Sequence, residues 1–183
     1  MTKNLDKKGL SSIADSYQLF YIDLWGVVHN GVNLHDEAIN VLKQISKKNK
    51  DYVLLTNAPR PNNSVKKFLE KMGMEKEMRD HVFTSGEAAL NYLKKNFLNK
   101  NFFHVGPPRD FDLFKDFEKN KSTDIEKSEY ILCTGLFDDQ DKDLIFYKNL
   151  FETQLKKKMI CTNPDLIVER GTSREFCAGS VAM

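Results

Sequence analysis

The segment from Phe20 to Gly31 places an aspartate where a reactive carboxylate is expected. Its sequence is FYIDLWGVVHNG, in which an apolar run ends at Asp23 and a glycine-bearing turn follows. Burying a carboxylate is costly unless a cation or a reaction partner offsets its charge. Ligands of open α/β sheets also collect outside the carboxyl ends of the strands. Asp23 is therefore a candidate nucleophile, and an aspartate that only caps the turn after a strand is the alternative.

A second polar group follows the next apolar segment. The sequence VLLTNAPRPNNS at 53–64 ends its apolar run in Thr56 and Asn57, before a proline-rich turn. A hydroxyl and backbone N–H groups at such a place can hold an oxyanion. Alone, this pattern could be ordinary turn chemistry. Its separation from Asp23 by one strand and one helix makes the combination more specific.

The elements that must position these residues alternate between strand and helix. The predicted elements are strands at 18–24, 51–56 and 81–84 and helices at 36–47 and 62–73. Apolar residues in each helix share one face, which can cover a sheet. Ser85 is predicted to cap a further helix. This order is typical of a parallel α/β sheet.

After residue 97 the pattern predicts a second, smaller α/β unit. Its predicted elements are strands in FFHVG, YILCTGL and MICTN, a helix carrying Phe111, Leu113, Phe114 and Phe117, and a long helix at 139–156. The closing sequence FCAGSVAM opens one more helix. We therefore expect a core domain in 1–98, an inserted domain in 99–174, and a return to the core in 175–183.

The composition excludes several classes of function. Of the 183 residues, 40% are apolar and 30% charged, which is typical of a globular protein. The net charge of +2 argues against nucleic acid or an anionic membrane as the partner. The N-terminal segment lacks the continuous apolar core of a signal peptide, and the sequence has no stretch of 18 or more apolar residues, so we expect neither targeting nor a membrane span. Three widely spaced cysteines, Cys133, Cys161 and Cys177, suit reduced core thiols and predict a cytoplasmic location.

The two motifs resemble those of the haloacid dehalogenase-like (HAD) hydrolases. FYIDLWG is similar to motif I, and VLLTNAPRPNNS is similar to motif II. Further similarity is to the class IIA branch, which includes p-nitrophenyl phosphatase-like and pyridoxal phosphate phosphatase-like enzymes. The matching pieces are VFTSGEAAL at 82–90, CTNPD at 161–165 and CAGSVA at 177–182, and the Asp-x-Trp-Gly form of motif I resembles one subgroup. The resemblance implies an incomplete Rossmann-like parallel-sheet core with an inserted α/β cap of the C2 type.

The resemblance gives roles to matching positions. It implies that Asp23 is the nucleophile and a Mg²⁺ ligand, together with the backbone carbonyl of Trp25. The implied contacts of a small phosphorylated substrate are Gly26, Thr56, Asn57, Asn163 and Asp165. An Asn-Pro-Asp turn at 163–165 is at least as well explained as structural. His29 and His35 lie near Asp23 in sequence and could approach it, although a polar surface role is more common for histidine.

Departures from the family pattern limit the expected activity. The family's phosphatases carry a second Asp that protonates the leaving group, and that place holds Trp25, whose indole cannot do so. Ala58 replaces an asparagine that helps to orient the nucleophile. The lysine of motif III and the acidic pair of motif IV are expected after CAGSVA, so we expect a C-terminally truncated, inactive chain and an active full-length enzyme. Reading the gene beyond the codon for Met183 would test this.

The first hypothesis is a Mg²⁺-dependent hydrolase, a phosphatase of a small metabolite that works through an aspartyl intermediate on Asp23. A dehalogenase-like hydrolase is an alternative within the enzyme class, because the family's dehalogenases also lack the second Asp. A catalytically silent small-molecule binding module is the alternative from another class. The sequence leaves the substrate and the oligomeric state open.

Overall fold

The computed structural model describes residues 9–170 and 173–183, and its contacts divide them into two compact units. The first takes in the described residues up to Thr56 together with Phe68–Val82. The second takes in Asn57–Lys67 and the described residues from Phe83 onward. The domain boundaries after residues 98 and 174 stay a prediction.

A three-stranded sheet has the strand order β1 (Leu19–Asp23), β2 (Asp51–Thr56) and β3 (Val82–Thr84). The first unit contains β1, β2 and the first residue of β3. β1 and β2 run parallel, and their register pairs Asp23 with Leu55. These strands agree with the sequence prediction to within a residue at each end. Each is a short, mostly apolar run that ends at a polar residue, a pattern that is consistent with a buried strand and explains the agreement.

The helices of the N-terminal half are α1 (Asp36–Lys47), α2 (Asn62–Lys71) and α3 (Lys76–Arg79). Leu42 and Ile45 of α1 are buried. Acidic residues occupy the first turn of α1 and Lys47 the last, as the helix dipole favours. α2 ends before Gly73, whose φ of +87° lies in the left-handed region that glycine adopts at little cost.

The second unit holds a four-stranded parallel sheet in the order β5-β4-β6-β7. The strands are β4 (Phe102–Val105), β5 (Lys121–Ser122), β6 (Tyr130–Cys133) and β7 (Lys158–Cys161). One face carries a core with Phe102, Tyr130 and Leu132, together with Leu90 and Leu93 of α4 (Ser85–Asn96). The other face packs against α5 (Leu144–Phe151) and α6 (Ala178–Ala182). Both sheets are parallel where their pairing is described and are covered by helices, which confirms the predicted α/β fold class.

The helix predicted around Phe111, Phe114 and Phe117 is instead a pair of 3-10 segments, Pro108–Leu113 and Lys115–Asn120. The three phenylalanines are spaced by three residues, and a 3-10 helix with three residues per turn aligns that spacing better than an α-helix. The predicted helix at 139–156 is also wrong in extent, because α5 begins only at Leu144. The Asp143 side chain accepts hydrogen bonds from the backbone N–H groups of Ile145 and Phe146 at 3.0 and 3.1 Å and so caps it.

A two-stranded antiparallel hairpin, β8 (Ile167–Arg170) and β9 (Ser173–Phe176), has no counterpart in the sequence prediction. Its strands are short and mix charged with apolar residues, so they carry no clear alternation. In the described part of the chain, every helix is too short or too polar to cross a bilayer.

Candidate functional site

Asp23 and Thr56 lie at the carboxyl ends of neighbouring parallel strands in the first unit. Asp23 is the last residue of β1 and pairs in register with Leu55, so Thr56 is one residue further along β2. Asp23 is exposed, and its Oδ1 accepts a hydrogen bond from the backbone N–H of Leu24 at 2.7 Å. The structure therefore brings a solvent-accessible carboxylate and a hydroxyl to the same edge of one sheet.

The turn after Asp23 is held by its own backbone. The carbonyl of Leu24 accepts from the N–H groups of Val28 and His29 at 2.9 and 3.1 Å. Gly26 adopts a φ of +74°, and its N–H donates to the carbonyl of His29 at 2.8 Å. A contact between the Gly26 amide and a phosphoryl oxygen would require this bond to open, and it stays a prediction.

Trp25 packs across this turn. Its ring meets the ring of His29 edge to face, with centroids 5.5 Å apart. It also lies against Gly31, where an added Cβ would come within 2.8 Å of Cη2 of Trp25. The indole thus shapes the turn at the position where the family's phosphatases carry a proton donor.

His29 is part of the same packing. It is buried, and its Nδ1 accepts a hydrogen bond from the backbone N–H of Gly31 at 3.0 Å. Its ring also contacts Phe68. Burial lowers the pKa of His29, and the nearby charge of Asp23 opposes that shift. A neutral, packed His29 favours a structural role over proton transfer.

Three other predicted residues meet in the second unit. The side-chain amide of Asn57 donates to both carboxylate oxygens of Asp165, at 3.0 and 3.1 Å. Asn163 Oδ1 accepts from the backbone N–H of Asp165 at 2.9 Å, which is an Asx turn. The N–H of Gly179 donates to the Asp165 carbonyl at 3.1 Å. These bonds support the structural alternative for the Asn-Pro-Asp turn, and the substrate contacts of all three residues stay predictions.

The start of α4 fixes the backbone that follows Asn57. Gly86 N–H donates to the carbonyl of Ala58 at 3.1 Å, and the Thr84 hydroxyl donates to the carbonyl of Arg60 at 2.6 Å. A Cβ on Gly86 would collide with the backbone of Arg60. This close approach explains why the segment VFTSGEAAL has a glycine at this place.

Sequence reasoning misses a cluster of polar side chains in the second unit, which consists of Arg60, His104, Asp110 and Thr134. Arg60 Nε donates to Oδ1 of Asp110 at 3.3 Å, across 50 residues of sequence. Burial raises the pKa of Asp110, against the opposing effects of the Thr134 hydroxyl and Arg60. His104 Nε2 and Thr134 Oγ1 lie 2.9 Å apart and share a hydrogen bond. No periodic pattern links these residues, so only the fold reveals them.

The oxygen atoms of the Asp23 carboxylate and of the backbone that follows it suit a hard divalent cation. Among the described residues, no group of three or more His, Cys, Asp or Glu side chains could hold a metal ion. The Asp23 carboxylate and the Trp25 carbonyl are oxygen donors of the kind that Mg²⁺ prefers. Mg²⁺ usually keeps several waters and needs only one or two protein carboxylates beside substrate phosphates. The donors therefore fit Mg²⁺, and their role as ligands stays a prediction.

Comparison with known proteins gives a family match over this region. A family model described as haloacid dehalogenase-like hydrolase matches residues 20–119, which include β1, β2 and α4. Phosphoglycolate phosphatase 2 from Arabidopsis thaliana is 27% identical over 193 residues, covering 89% of this chain. The chain spans 61% of the length of that relative.

Solved structures show the same architecture. A haloacid dehalogenase-like hydrolase from Brucella suis 1330 matches all of this chain and 67% of its own, with a TM-score of 0.81 and 29% identity. A 4-nitrophenylphosphatase from Thermotoga maritima matches 92% of this chain and 63% of its own, with a TM-score of 0.68 and 25% identity. Both comparisons agree with the parallel-sheet α/β fold described above.

Proposed function

Because the chain belongs to the haloacid dehalogenase-like hydrolase family, we propose that it provides the nucleophile of a phosphatase acting on a small phosphorylated metabolite. The observation that carries this proposal is the exposed carboxylate of Asp23 beside Thr56 at the carboxyl edge of β1 and β2. Two similar proteins, a phosphoglycolate phosphatase and a 4-nitrophenylphosphatase, support the reaction class.

The proposed chemistry begins with the Asp23 carboxylate. Its oxygen attacks phosphorus, the bond to the leaving oxygen breaks, and an aspartyl phosphate forms on Asp23. The Thr56 hydroxyl and the backbone N–H groups that follow it would hold the phosphoryl oxygens. Water then attacks the phosphorus and releases phosphate. Mg²⁺ bound by Asp23 and the Trp25 carbonyl would offset the negative charges of carboxylate and phosphate.

The packing of Trp25 narrows the substrate class. An indole that lies against His29 and Gly31 offers no acidic proton to a leaving group. Protonation must then come from water or another residue, or the leaving group must need none. We therefore expect aryl phosphates and acyl phosphates, whose leaving groups are weak bases, to turn over faster than alkyl phosphates.

The same observation favours a second candidate function. Displacement of halide from carbon by an aspartate needs no proton donor for the leaving group, so a dehalogenase-like reaction is compatible with Trp25. A binding module that retains the fold without turnover is the remaining alternative. Asn57, held by both oxygens of Asp165, would have to leave that contact to reach a substrate.

A substrate panel distinguishes these functions. The full-length protein would be tested on phosphate esters, acyl phosphates and haloacids, with Mg²⁺ or with EDTA. Asp23→Asn should lower kcat by roughly 10⁴-fold, because an amide is a poor nucleophile. Asp51→Asn is the matched control, since Asp51 is an exposed carboxylate at the opposite end of β2 and should leave kcat unchanged.

Turnover that survives in Asp23→Asn would overturn the mechanism. Halide release without phosphate release would support the dehalogenase-like reaction and contradict the phosphatase. Substrate binding by calorimetry without any turnover in the wild-type protein would support the binding module.

A further inference from the structure

Two cysteines lie side by side in the parallel sheet of the second unit. Cys133 is the last residue of β6 and Cys161 the last of β7, and the register pairs them directly. Paired positions of neighbouring parallel strands send their side chains to the same face of the sheet, and the two strands lie about 4.8 Å apart. That spacing falls within the range of Cα separations that a disulfide can span.

The two thiols differ sharply in exposure. Cys133 is fully buried, with its Sγ 3.7 Å from the carbonyl of Gly135 and 3.8 Å from that of Ala178. Cys161 is only partly buried, and its Sγ lies 3.1 Å from the carbonyl of Asn163. A small reagent can therefore reach Cys161 before it reaches Cys133.

Cys161 lines an open groove of about 480 Å³ within the second unit. One wall comes from β7 and the residues after it, and the other comes from the first two turns of α4. The groove is lined by Ser85, Ala88, Ala89, Tyr92, Met159, Ile160, Cys161, Thr162 and Pro164. The Cys161 side chain packs with Cys133 on the face of the sheet that carries α5 and α6. The groove has no part in the chemistry proposed for Asp23.

The contact between the thiols activates one of them. The neighbouring Cys133 thiol lowers the pKa of Cys161 to about 7, with help from the backbone at Asn163 and against the opposing effect of partial burial. The neighbouring Cys161, together with burial, raises the pKa of Cys133 well above its usual range. Near neutral pH a large fraction of Cys161 is therefore thiolate, the nucleophilic form of cysteine, while Cys133 keeps its proton.

We propose that Cys161 and Cys133 form a peroxide-reactive dithiol, with Cys161 as the attacking thiolate and Cys133 as the resolving thiol. The Cys161 sulfur attacks one oxygen of hydrogen peroxide, the O–O bond breaks, and Cys161 becomes a sulfenic acid as hydroxide leaves. The Cys133 sulfur then attacks the Cys161 sulfur, displaces its hydroxyl group and loses its own proton. The S–S bond forms, the two thiols are oxidised by two electrons, and peroxide is reduced to two waters.

Peptide mapping of the wild-type protein tests the proposal. The reduced protein would be treated with hydrogen peroxide, blocked with iodoacetamide and digested without reductant. We expect a peptide linked through Cys133 and Cys161, with Cys177 recovered as an alkylated thiol. Before oxidation, iodoacetamide at neutral pH should label the partly exposed Cys161 faster than the buried Cys177.

Variants separate the two roles. Cys133→Ala should slow the attack of Cys161 on peroxide, because it removes the thiol that lowers the pKa of Cys161. The reaction should then stop at the sulfenic acid of Cys161, which dimedone traps. Cys161→Ser should abolish both the dimedone adduct and the disulfide. Cys177→Ser is the matched control, because Cys177 is also buried but lies outside the pair, and it should behave as the wild type. Circular dichroism would establish that each variant is folded.

Two results would overturn the proposal, and both come from the wild-type protein, so they do not depend on the folding of a variant. One is labelling of Cys161 no faster than that of Cys177. The other is oxidation of Cys161 to sulfenic or sulfinic acid without a link to Cys133, which would leave a single reactive thiol in place of a dithiol.

Discussion

Position 25 illustrates how one side chain can change what a neighbouring carboxylate is able to do. The indole of Trp25 packs on His29 and Gly31 and holds the turn that follows Asp23. The residue thus contributes packing where a second aspartate would contribute a proton. The sequence alone predicts the lost acid, but the packing partners depend on the turn geometry and emerge only from the structure.

Replacing Gly31 by alanine tests the packing of Trp25. Gly31 has a φ of +91°, and a Cβ there would lie 2.8 Å from Cη2 of Trp25. Gly73 is the matched control, because its φ of +87° is similar and its added Cβ would meet nothing within 4 Å. Gly73→Ala should lower the free energy of unfolding by about 1–2 kcal/mol through backbone strain alone. Gly31→Ala should lower it further, as measured by urea denaturation.

Equal losses in the two alanine variants would mean that the indole moves aside without cost. The double variant Trp25→Ala/Gly31→Ala provides the cross-check. If the ring causes the extra loss, Gly31→Ala should lower the free energy of unfolding by less in the Trp25→Ala background than in the wild-type background.

His104 predicts a pH dependence of stability. Burial, assisted by the charge of Lys121, lowers the pKa of His104 from its ordinary 6.5 to about 4. Between these pH values the unfolded chain binds more protons than the folded one, so stability falls as the pH is lowered through this window. The full lowering of the His104 pKa corresponds to roughly 3 kcal/mol of folding stability. This stability is fully present above pH 6.5 and is lost as the pH falls to about 4.

The measurement compares wild type with His104→Gln in urea denaturation from pH 7 to pH 4. Glutamine can keep the hydrogen bond to Thr134 and does not titrate in this range. The raised pKa of Asp110 acts in the opposite direction, because its contribution to stability increases as the pH falls. A difference in stability that does not change between these pH values would contradict the assignment.

Among the elements, α4 shows how a helix end can organise a loop. The residue that caps it is Thr84, although the sequence favours Ser85. The Thr84 Oγ1 accepts from the N–H of Glu87 at 2.8 Å and donates to the carbonyl of Arg60 at 2.6 Å. One hydroxyl group therefore both caps α4 and holds the loop that follows Asn57.

Replacing Thr84 by valine should remove both bonds and keep the shape of the side chain. Because Thr84 is fully buried, we expect the free energy of unfolding to fall by about 2–3 kcal/mol. Thr84→Ser is the matched control, which keeps the hydroxyl and should cost about 1 kcal/mol for the lost methyl group. A serine variant as unstable as the valine variant would show that packing of the methyl group dominates, and that the cap does not.

The elements that could be predicted share a strong local period. β1 and β2 follow from short apolar runs and α1 from a helical stripe, so their bounds agree closely with the structure. The region from Phe111 to Phe117 has a period of three, which is the period of a 3-10 helix, and the helix predicted there is a pair of 3-10 segments. Contacts such as Arg60 with Asp110, or Cys133 with Cys161, join distant segments and leave no periodic trace in the sequence.

At the scale of the whole molecule, the order of motifs proved more informative than any one of them. FYIDLWG and VLLTNAPRPNNS are each weak alone, yet their order predicts the family that the match over residues 20–119 confirms. The roles of Asp23, Thr56 and Mg²⁺ remain predictions, because a family match identifies the fold and leaves the reaction to experiment.

Chelation separates a catalytic role of Mg²⁺ from a structural one. Within the described ranges, no cluster of three or more His, Cys, Asp or Glu side chains could hold a structural metal ion. We therefore expect EDTA to abolish turnover while leaving Tm, measured by circular dichroism, unchanged. A Tm that falls with EDTA and recovers with added Mg²⁺ would reveal a metal that the fold itself requires.

The close packing around Gly86 limits which substitutions the chain tolerates at that position. A side chain there would strike the backbone of Arg60, and one on Gly179 would strike the backbone of Pro164 and Asp165. In a saturation library scored for soluble expression, both positions should therefore be depleted of every alternative residue. Asp23, exposed and free of such crowding, should accept many substitutions under that selection and few under a selection for turnover. Comparing the two selections would separate sites that preserve the fold from sites that preserve the reaction.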